Sequence, residues 1–452
     1  MLTVQELTAL VEDGEIDTVL VAFPDMQGRF MGKRVLARFF VDELGRNGGV
    51  IEACDYLLAV DVDMKVLDGF RFTSWETGYG DFVCLPDMST LRVVPWLEKT
   101  ALVIGDLVDH DNASIEVSPR AILQRQLGLA AERGYTVKAG TELEFFLFQE
   151  SMEQAWKQGF KGLTPSSPYV IDYHILQTSK DEWLIRKIRN DMAAAGIPVE
   201  NSKGEAGLGQ HELNLRYAEA LQMADNHTVY KNGAKEIAAL AGRALTFMAK
   251  HHIDEVGSSC HIHSSLWDAS TDRSVMADES GRGLSDTFRW YLGGLLATAG
   301  DFAICWAPFI NSYKRYQPGS WAPTAIGWGT DNRTLGFRVV GHGQGMRVES
   351  RIPGADCNPY IALAATVAGG IHGIENRIEP PEAFLGNGYE ADLPRIPSTL
   401  VEAIDRFEAS EIARAAFGDD VHFHLLHMAK QEWAEFNRTV TDWELRRNFE
   451  RL

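Results

Sequence analysis

The chain has 452 residues, of which 45% are hydrophobic, and its formal net charge at pH 7 is −20. This length exceeds what one hydrophobic core usually organises, so two domains are expected. The strong negative charge disfavours nonspecific binding to nucleic acids and to anionic membranes. The five cysteines are scattered without paired spacing, no apolar run is long enough to span a bilayer, and the first residues lack a signal-like apolar block. We therefore expect a cytoplasmic protein with reduced thiols.

The first part of the chain is predicted to be a small β-rich domain. Residues 16–36 have the pattern of a β-hairpin with a turn at 24–28. Further short extended segments are predicted around 56–62 and 81–85, and a stretch marked by proline and tryptophan at 91–96 leads to residues 101–108. The polar segment 109–112 is rich in turn-forming residues, so the first domain is predicted to comprise residues 1–110 and the second residues 111–452.

The second domain is predicted to combine helices and strands, which gives an α+β fold class. Ser118 and Pro119 have the residue types of a helix N-cap and a first helical position, and this helix is expected to run to about Glu132 and stop at Gly134. Further helices are predicted at 226–243, 286–299, 358–376, 399–415 and 421–452.

Four predicted strands of the second domain place polar, mostly charged side chains on one face. These residues are Glu142 and Glu144 in strand 140–148; Glu212, Asn214 and Arg216 in strand 210–217; His261, His263 and Ser265 in strand 260–266; and Arg347, Glu349 and Arg351 in strand 347–351. An ordinary solvated face explains any one of them, because alternation is the commonest strand pattern. Together they predict the inner wall of a curved sheet around a charged cavity.

These side chains have the chemistry of a divalent-metal site. The candidate ligands are Glu142, Glu144, Glu205, Glu212, His261 and Glu349. Such mostly hard oxygen ligands suit Mg²⁺ or Mn²⁺, and their number fits two ions better than one. Nearby arginines would neutralise phosphate and carboxylate groups; they are Arg315, Arg333, Arg338, Arg347 and Arg351. Metals held by carboxylates and facing arginines are typical of phosphoryl transfer, and no P-loop sequence is present.

Glu205 stands in a glycine-rich segment, 204–209. Three glycines in six residues are unfavourable in a helix and suit a backbone that passes close to a ligand. This segment is therefore expected to border the substrate site.

The chain resembles the bacterial glutamine synthetase family along essentially its whole length. The matching segments are, in order, 141–148, 204–212, 246–250, 257–263, 311–315, 331–333, 347–351 and 358–360. The resemblance implies a β-grasp-like N-terminal domain followed by a catalytic domain with a curved antiparallel sheet, a half-barrel flanked by helices. It also implies active sites between the subunits of two stacked hexameric rings, and hence a homododecamer.

The resemblance also implies a role for each candidate residue. Glu144, Glu205 and Glu212 would hold one metal ion, and Glu142, His261 and Glu349 the other. ATP as co-substrate would contact His263, Ser265, Arg338 and Arg347. Gly257, Arg315 and Arg351 would hold L-glutamate, and Arg333 would meet the transferred phosphoryl group.

Two departures from the family concern the amine that attacks the activated glutamate. Trp321 stands where ammonia-using relatives carry a glutamate that binds ammonium. The family's N-terminal Asp-Gly-Ser-Ser loop corresponds here to residues 48–56, where Glu52 or Asp55 would replace its catalytic aspartate. An aromatic wall suits an alkylammonium and adds a cation–π attraction of about 0.5–2 kcal/mol. A tryptophan that only packs the flap is the alternative interpretation.

The sequence therefore predicts an ATP-dependent ligase that forms a γ-glutamyl amide from L-glutamate and an organic amine. A short monoamine, ethanolamine and a polyamine all remain open as the amine. A glutamine synthetase that uses ammonia is the first alternative, and a non-catalytic structural relative is the second. Val256 replaces an asparagine near the substrate glutamate of ammonia-using enzymes. Tyr389 lies where some relatives are adenylylated, although an exposed loop tyrosine is the simpler expectation.

Overall fold

A computed structural model describes residues 1–452 of the protein. The strands are β1 (Thr18–Pro24), β2 (Phe30–Leu36), β3 (Ile51–Cys54), β4 (Asp81–Val93), β5 (Thr100–Val108), β6 (Tyr135–Phe148), β7 (Val199–Gly204), β8 (Gln210–Leu215), β9 (Ala218–Glu219), β10 (Ala244–Thr246), β11 (Cys260–Asp268), β12 (Arg273–Ser274), β13 (Trp328–Thr330), β14 (Phe337–Val340) and β15 (Arg347–Ser350). The helices are α1 (Val4–Glu12), α2 (Ala37–Asn47), α3 (Pro119–Glu132), α4 (Met152–Lys157), α5 (Ile175–Ala194), α6 (Ala220–Leu240), α7 (Asp286–Thr298), α8 (Ala303–Trp306), α9 (Pro359–Asn376), α10 (Leu400–Ala409), α11 (Glu411–Phe417), α12 (Asp419–Arg438) and α13 (Asp442–Asn448). None of these helices is both long and apolar enough to cross a membrane.

The N-terminal part forms a five-stranded sheet in the order β2-β1-β5-β4-β3. The predicted hairpin is confirmed, since β1 and β2 pair antiparallel with Thr18 opposite Leu36. The predicted extended segment at 56–62 is wrong, because Asp55–Leu58 is a 3₁₀ helix. Helices α1 and α2 were not predicted from the sequence. The residue before α1, Thr3, is its N-cap and forms a capping box with Glu6.

The second sheet has ten strands and carries the polar faces predicted from the sequence. Its main path runs β13-β14-β15-β11-β6-β8-β7, with β9 and β10 paired to β6 and β12 paired to β11. The four polar-faced strands are β15, β11, β6 and β8, and they are consecutive neighbours in this path. The α+β fold class and the charged inner face of the sheet are therefore confirmed.

The helices of the second part agree with the sequence at α3 and differ near the C-terminus. Ser118 caps α3 by accepting a hydrogen bond from the backbone N–H of Ala121. The single helix predicted at 399–415 is wrong, because the chain leaves helical geometry at Ser410, which then caps α11. The helix predicted at 421–452 is likewise two helices, α12 and α13.

An ion cluster around the buried Arg120 connects the two sheets. Arg120 on α3 donates hydrogen bonds to Asp87 of β4 at 2.6 Å, to Asp106 of β5 at 2.6 Å and to Asp225 of α6 at 3.1 Å. Its side chain is 2% exposed. Tyr360 of α9 donates its hydroxyl to Asp225 at 2.7 Å. One hydrophobic core also continues from the first sheet into the second, so the division at residue 110, between β5 and α3, stays a prediction.

Candidate active site

The strand register brings the predicted metal ligands together. Glu142 lies opposite His261 in the β6–β11 pairing, and Glu144 lies opposite Glu212 in the β6–β8 pairing. His263 lies opposite Glu349 in the β11–β15 pairing. Directly opposite residues of antiparallel strands project to the same face. Residues that are far apart in the sequence therefore form one polar surface.

This surface borders a cavity of about 730 Å³. All six predicted metal ligands line it, together with Gly257, Arg315, Trp321, Arg333, Arg338 and Arg351. Val256, whose position corresponds to an asparagine near the substrate glutamate of ammonia-using enzymes, also lines the cavity.

The ligand atoms form two groups. The carboxylates of Glu142 and Glu349 and the imidazole of His261 lie within 4.8 Å of one another, which matches one predicted ligand set. The second group contains Glu144 and Glu212, with His261 in the place predicted for Glu205. Glu205 differs because its carboxylate forms an ion pair with Lys203.

Electrostatics distinguish Glu144 and Glu212 from the other carboxylates of the cavity. Burial, reinforced by the charge of Glu205, raises the pKa of Glu144 to about 7. Burial and the charges of the neighbouring glutamates raise the pKa of Glu212 to about 10. Glu212 is 3% exposed, and its carboxylate accepts no hydrogen bond and forms no ion pair. Carboxylates buried together are stable in the charged form only beside a cation, so this donor set fits divalent metal ions.

The imidazole of His261 also suits a metal ion. Burial, together with the charge of Arg351, lowers the pKa of His261 to about 4. The imidazole is therefore neutral at pH 7, which is the form that binds metals. Burial acts to raise the pKa of Glu349, but the charge of His261, which is protonated at low pH, and the charge of Arg351 lower it to about 2.

Glu144 is held in position by residues that the sequence analysis did not identify. The backbone N–H of Ser259 donates to its carboxylate at 2.8 Å and the Ser259 hydroxyl at 2.6 Å. Gln210 donates through its amide at 3.2 Å. Ser259 directly precedes β11 and Gln210 opens β8. No periodicity in the sequence marks such supporting contacts.

The arginines that line the cavity differ in the hydrogen-bond and ion-pair partners that they have within the protein. Arg338 and Arg351 both donate to Glu349, at 2.7 and 2.5 Å. Arg315 is buried and donates to two backbone carbonyls, and a Cβ at Gly257 would lie 2.5 Å from its Cγ, which explains the glycine. Arg333 is exposed and makes no hydrogen bond or ion pair. Its guanidinium is thus free to meet an anionic substrate.

A second cavity of about 420 Å³ contains most of the residues predicted for ATP. It shares Glu142 and Asn214 with the first cavity and is lined by His263, Ser265 and Arg347. His263 lies 2.9 Å from Glu142 and accepts a hydrogen bond from Arg347 at 3.1 Å. Arg338, the fourth predicted ATP residue, lines the first cavity instead.

Trp321 is placed at the cavity wall, as predicted for an amine-binding residue. Its side chain is 58% exposed, and its backbone has a positive φ of 64°. Such a backbone is strained for a bulky residue and is typical of functional sites.

Glu52 and Asp55 are not brought to this cavity. Glu52 lies on β3 of the N-terminal sheet, and the Asp55 carboxylate accepts a hydrogen bond from Thr73 at 2.5 Å. Neither residue lines the cavity of its own chain. Their role as catalytic groups therefore requires the active site of a neighbouring subunit, and it stays a prediction.

Tyr389 differs from the exposed loop tyrosine expected from the sequence. Its hydroxyl is buried and has no hydrogen-bond partner. The charges of Arg351 and Arg315 act on it, although burial dominates and raises its pKa. A buried hydroxyl is not accessible for adenylylation in this conformation.

The glycine-rich segment 204–209 has a different explanation from the one expected. A Cβ at Gly204 would lie 2.4 Å from the carbonyl oxygen of Ile171, and one at Gly207 would lie 2.5 Å from the Phe146 ring. The glycines thus permit close packing against other parts of the chain. Gly204 and Glu205 nevertheless line the cavity, as expected.

A model of the glutamine synthetase catalytic domain matches residues 116–448. The chain therefore belongs to the glutamine synthetase family. It is 54% identical to the gamma-glutamylethanolamide synthetase of Streptomyces coelicolor, covering 100% of this chain and 96% of that protein. It is 37% identical to a glutamate–isopropylamine ligase of a Pseudomonas species, covering 97% and 96%.

A solved structure extends the likeness to three dimensions. The GmaS/ADP complex superposes with a TM-score of 0.84 at 27% sequence identity, covering 98% of this chain and 99% of that chain. The predicted fold and family therefore agree with both sequence and structural relatives. Family members use divalent metals and ATP, and the carboxylate and histidine groups described above are consistent with that use.

Proposed function

We infer that this chain is an ATP-dependent ligase that joins the γ-carboxylate of L-glutamate to an organic amine. The observation that carries the inference is the combination found in one cavity: two carboxylate–histidine groups, the unpaired cation Arg333, and Trp321 where ammonia-using relatives carry a glutamate. The two curated relatives named above act on ethanolamine and isopropylamine. We propose the same class of substrate here, a small primary amine.

The residues of the chain divide the reaction between them. Arg315 and Arg351 hold the glutamate substrate, and the close packing of Gly257 against Arg315 fixes that guanidinium. His263, Ser265, Arg347 and Arg338 orient ATP. The γ-carboxylate of glutamate attacks the terminal phosphorus of ATP, which gives γ-glutamyl phosphate and ADP. Arg333 offsets negative charge on the transferred phosphoryl group, which is the main catalytic effect expected for such transfers.

The ligand set completes this arrangement. Mg²⁺ or Mn²⁺ ions held by Glu142, His261 and Glu349 and by Glu144, Glu212 and Glu205 would neutralise phosphate and carboxylate charge. Ser259 and Gln210 orient the Glu144 carboxylate for metal binding. The neutral imidazole of His261 would supply the nitrogen ligand of the metal site.

The amine enters as the second substrate. A neutral amine attacks the acyl carbon of γ-glutamyl phosphate, phosphate leaves, and the amine nitrogen loses a proton. Trp321 provides an apolar face for the carbon chain, which an ammonium-binding carboxylate would not. We propose Glu52 or Asp55 of a neighbouring subunit as the proton acceptor, in a homododecamer of two hexameric rings built from domains 1–110 and 111–452.

The direct test is to identify the product formed from each of several amines. Purified protein is incubated with L-glutamate, ATP, Mg²⁺ and ethanolamine, isopropylamine, a diamine or ammonium, and phosphate release is compared with mass-spectrometric detection of the amide. We expect a γ-glutamyl amide of an organic amine as the fastest-formed product. Ammonium as the best substrate would instead establish a glutamine synthetase, and no Mg²⁺-dependent turnover with any amine would establish a non-catalytic relative.

A further inference from the structure

The segment 384–396 lies between α9 and α10 and packs along the segment 321–334, which carries Trp321 and Arg333. Hydrogen bonds between the two segments join the Phe384 N–H to the Trp328 carbonyl at 2.9 Å, the Ile326 N–H to the Pro394 carbonyl at 2.7 Å, and the Gly388 N–H to the Thr334 hydroxyl at 2.8 Å. The segment 384–396 is therefore fixed against one wall of the cavity, and Tyr389 lies within it.

The Tyr389 hydroxyl lies beside the two arginines proposed to hold L-glutamate. Burial raises the pKa of Tyr389, and the charges of Arg351 and Arg315 oppose this rise. The hydroxyl is buried and has no hydrogen-bond partner. Such a group is unfavourable for stability, so it points to a partner that is present only in another state of the site. Tyr389 does not line the cavity, so it would act through an arginine and not on the substrate.

Arg351 also has a buried polar atom without a partner. Its Nε atom makes no hydrogen bond, while its other guanidinium nitrogens donate to Glu349 and, at 3.4 Å, to the backbone carbonyl of Trp321. Glu349 is a predicted metal ligand as well. A metal ion would compete with Arg351 for the Glu349 carboxylate. The guanidinium then needs another acceptor that keeps it buried and oriented.

We propose that Tyr389 is a positioning residue for the L-glutamate subsite, an assignment that rests on the proposed function. When metal binds Glu349, the Tyr389 hydroxyl accepts a hydrogen bond from the Arg351 guanidinium. Arg351 thereby stays oriented toward the carboxylate of the substrate. The hydrogen bonds of the segment 384–396 hold the tyrosine in place for this contact.

Tyr389→Phe tests the assignment because it removes only the hydroxyl. Tyr313→Phe is the matched control, since the Tyr313 hydroxyl is also buried without a partner but belongs to the hydrophobic core. Steady-state constants are measured for L-glutamate, ATP and ethanolamine. We expect Tyr389→Phe to raise KM for L-glutamate about tenfold, the effect of one hydrogen bond to a charged group. Its kcat and its KM for ATP and ethanolamine should stay close to those of the wild type, and Tyr313→Phe should change none of these constants.

Two further measurements do not depend on turnover. Calorimetric titration with L-glutamate in the presence of Mg²⁺ and ADP should show a Kd that rises about tenfold in Tyr389→Phe. Scanning fluorimetry without metal or substrate should show a thermal midpoint that does not fall, because the hydroxyl has no partner in that state. A residue that only supported the fold would give the reverse result, a lower midpoint and an unchanged Kd.

Two outcomes contradict the assignment. An unchanged KM and Kd for L-glutamate in Tyr389→Phe excludes a positioning role. A lower thermal midpoint of the ligand-free variant, with a parallel rise in KM for all three substrates, shows that the hydroxyl supports the fold instead. A wild-type protein that forms no organic amide, but loses affinity for L-glutamate in Tyr389→Phe, overturns the proposed function alone. Organic amide formation with an unchanged variant overturns only the assignment.

Discussion

The molecule contains two clusters of carboxylates that differ in what lies between them. In the cluster that joins the sheets, Asp87, Asp106 and Asp225 surround Arg120, and all three guanidinium nitrogens have carboxylate partners. In the cavity, Glu144 and Glu212 lie close together with no basic side chain paired to either. In the first cluster the cation is Arg120 of the same chain. The carboxylates of the second cluster can instead bind a cation from solution.

This difference separates a structural cluster from a functional one. Removal of one partner of a buried ion pair strongly lowers the free energy of unfolding, because the remaining charges lose the opposite charge that compensated them. Unpaired carboxylates instead destabilise the fold and are retained where they bind something. Mutations in the two clusters should therefore have opposite effects on stability.

The largest effect is expected at the structural cluster. Arg120→Met leaves three carboxylates without their shared cation, and we expect the free energy of unfolding to fall by about 3–5 kcal/mol. Denaturation by urea measures this change. Arg125→Met on the same helix is the control, since that side chain is 43% exposed and lies 3.9 Å from its one partner, Glu116; its loss should be at most about 1 kcal/mol. An equal fall in the free energy of unfolding in the two variants would contradict the assignment of Arg120 to a structural cluster.

The functional cluster should respond in the opposite way. Glu212→Gln keeps the shape of the side chain but removes a carboxylate that its neighbours disfavour. We expect kcat/KM to fall by about 10²–10³-fold, while the thermal midpoint of the metal-free protein stays equal or rises. A large drop in thermal stability would show that Glu212 supports the fold, contrary to our interpretation.

The raised pKa values of Glu144, about 7, and of Glu212, about 10, predict a pH-dependent metal effect. Without metal, the folded protein holds protons on these groups that the unfolded chain has released, so the two groups lower stability as pH rises through these values. Mg²⁺ competes with those protons. We therefore expect Mg²⁺ to raise the thermal midpoint by at least about 2 °C more at pH 8.5 than at pH 6.

Differential scanning fluorimetry measures the Mg²⁺-dependent shift at both pH values. Glu212→Gln is the control, in which the pH dependence should shrink because one of the two titrating carboxylates is gone. Identical shifts at pH 6 and pH 8.5 in the wild type would contradict the pKa assignment.

The smallest predicted effect concerns the choice of amine. Trp321→Glu replaces the aromatic wall with the carboxylate of ammonia-using relatives, so the ratio of kcat/KM for ammonium to that for ethanolamine should rise about tenfold. Trp321→Phe keeps an aromatic face and should change the ratio little. No change in the ratio for Trp321→Glu would favour the alternative in which this tryptophan only packs the flap.

The sequence predicts much of the site because alternation along a strand fixes which residues share a face. Glu142, Glu144 and Glu212 could be assigned to one surface before their strands were known to be neighbours, and the register then placed them side by side. Glu205 lies outside any alternating strand pattern, and the glycine-rich segment around it indicated its place beside the substrate site.

Other parts of the site depend on contacts that no local pattern records. Glu205 forms an ion pair with Lys203 instead of joining the second ligand group, and Ser259 orients Glu144. Neither contact follows from a periodic pattern in the sequence. The burial of the Tyr389 hydroxyl depends on tertiary packing. In the N-terminal part, short amphipathic helices such as α1 and α2 were missed because the strand pattern around them dominates.

The most direct test of the contrast between the two clusters is to locate bound cations. Crystals of the protein grown with Mn²⁺ and an ATP analogue would give anomalous difference density at each metal site. We predict two peaks in the cavity, one within ligand distance of Glu142, His261 and Glu349 and one within ligand distance of Glu144 and Glu212, and none at the Arg120 cluster. An absence of peaks beside Glu144 and Glu212 would contradict the account.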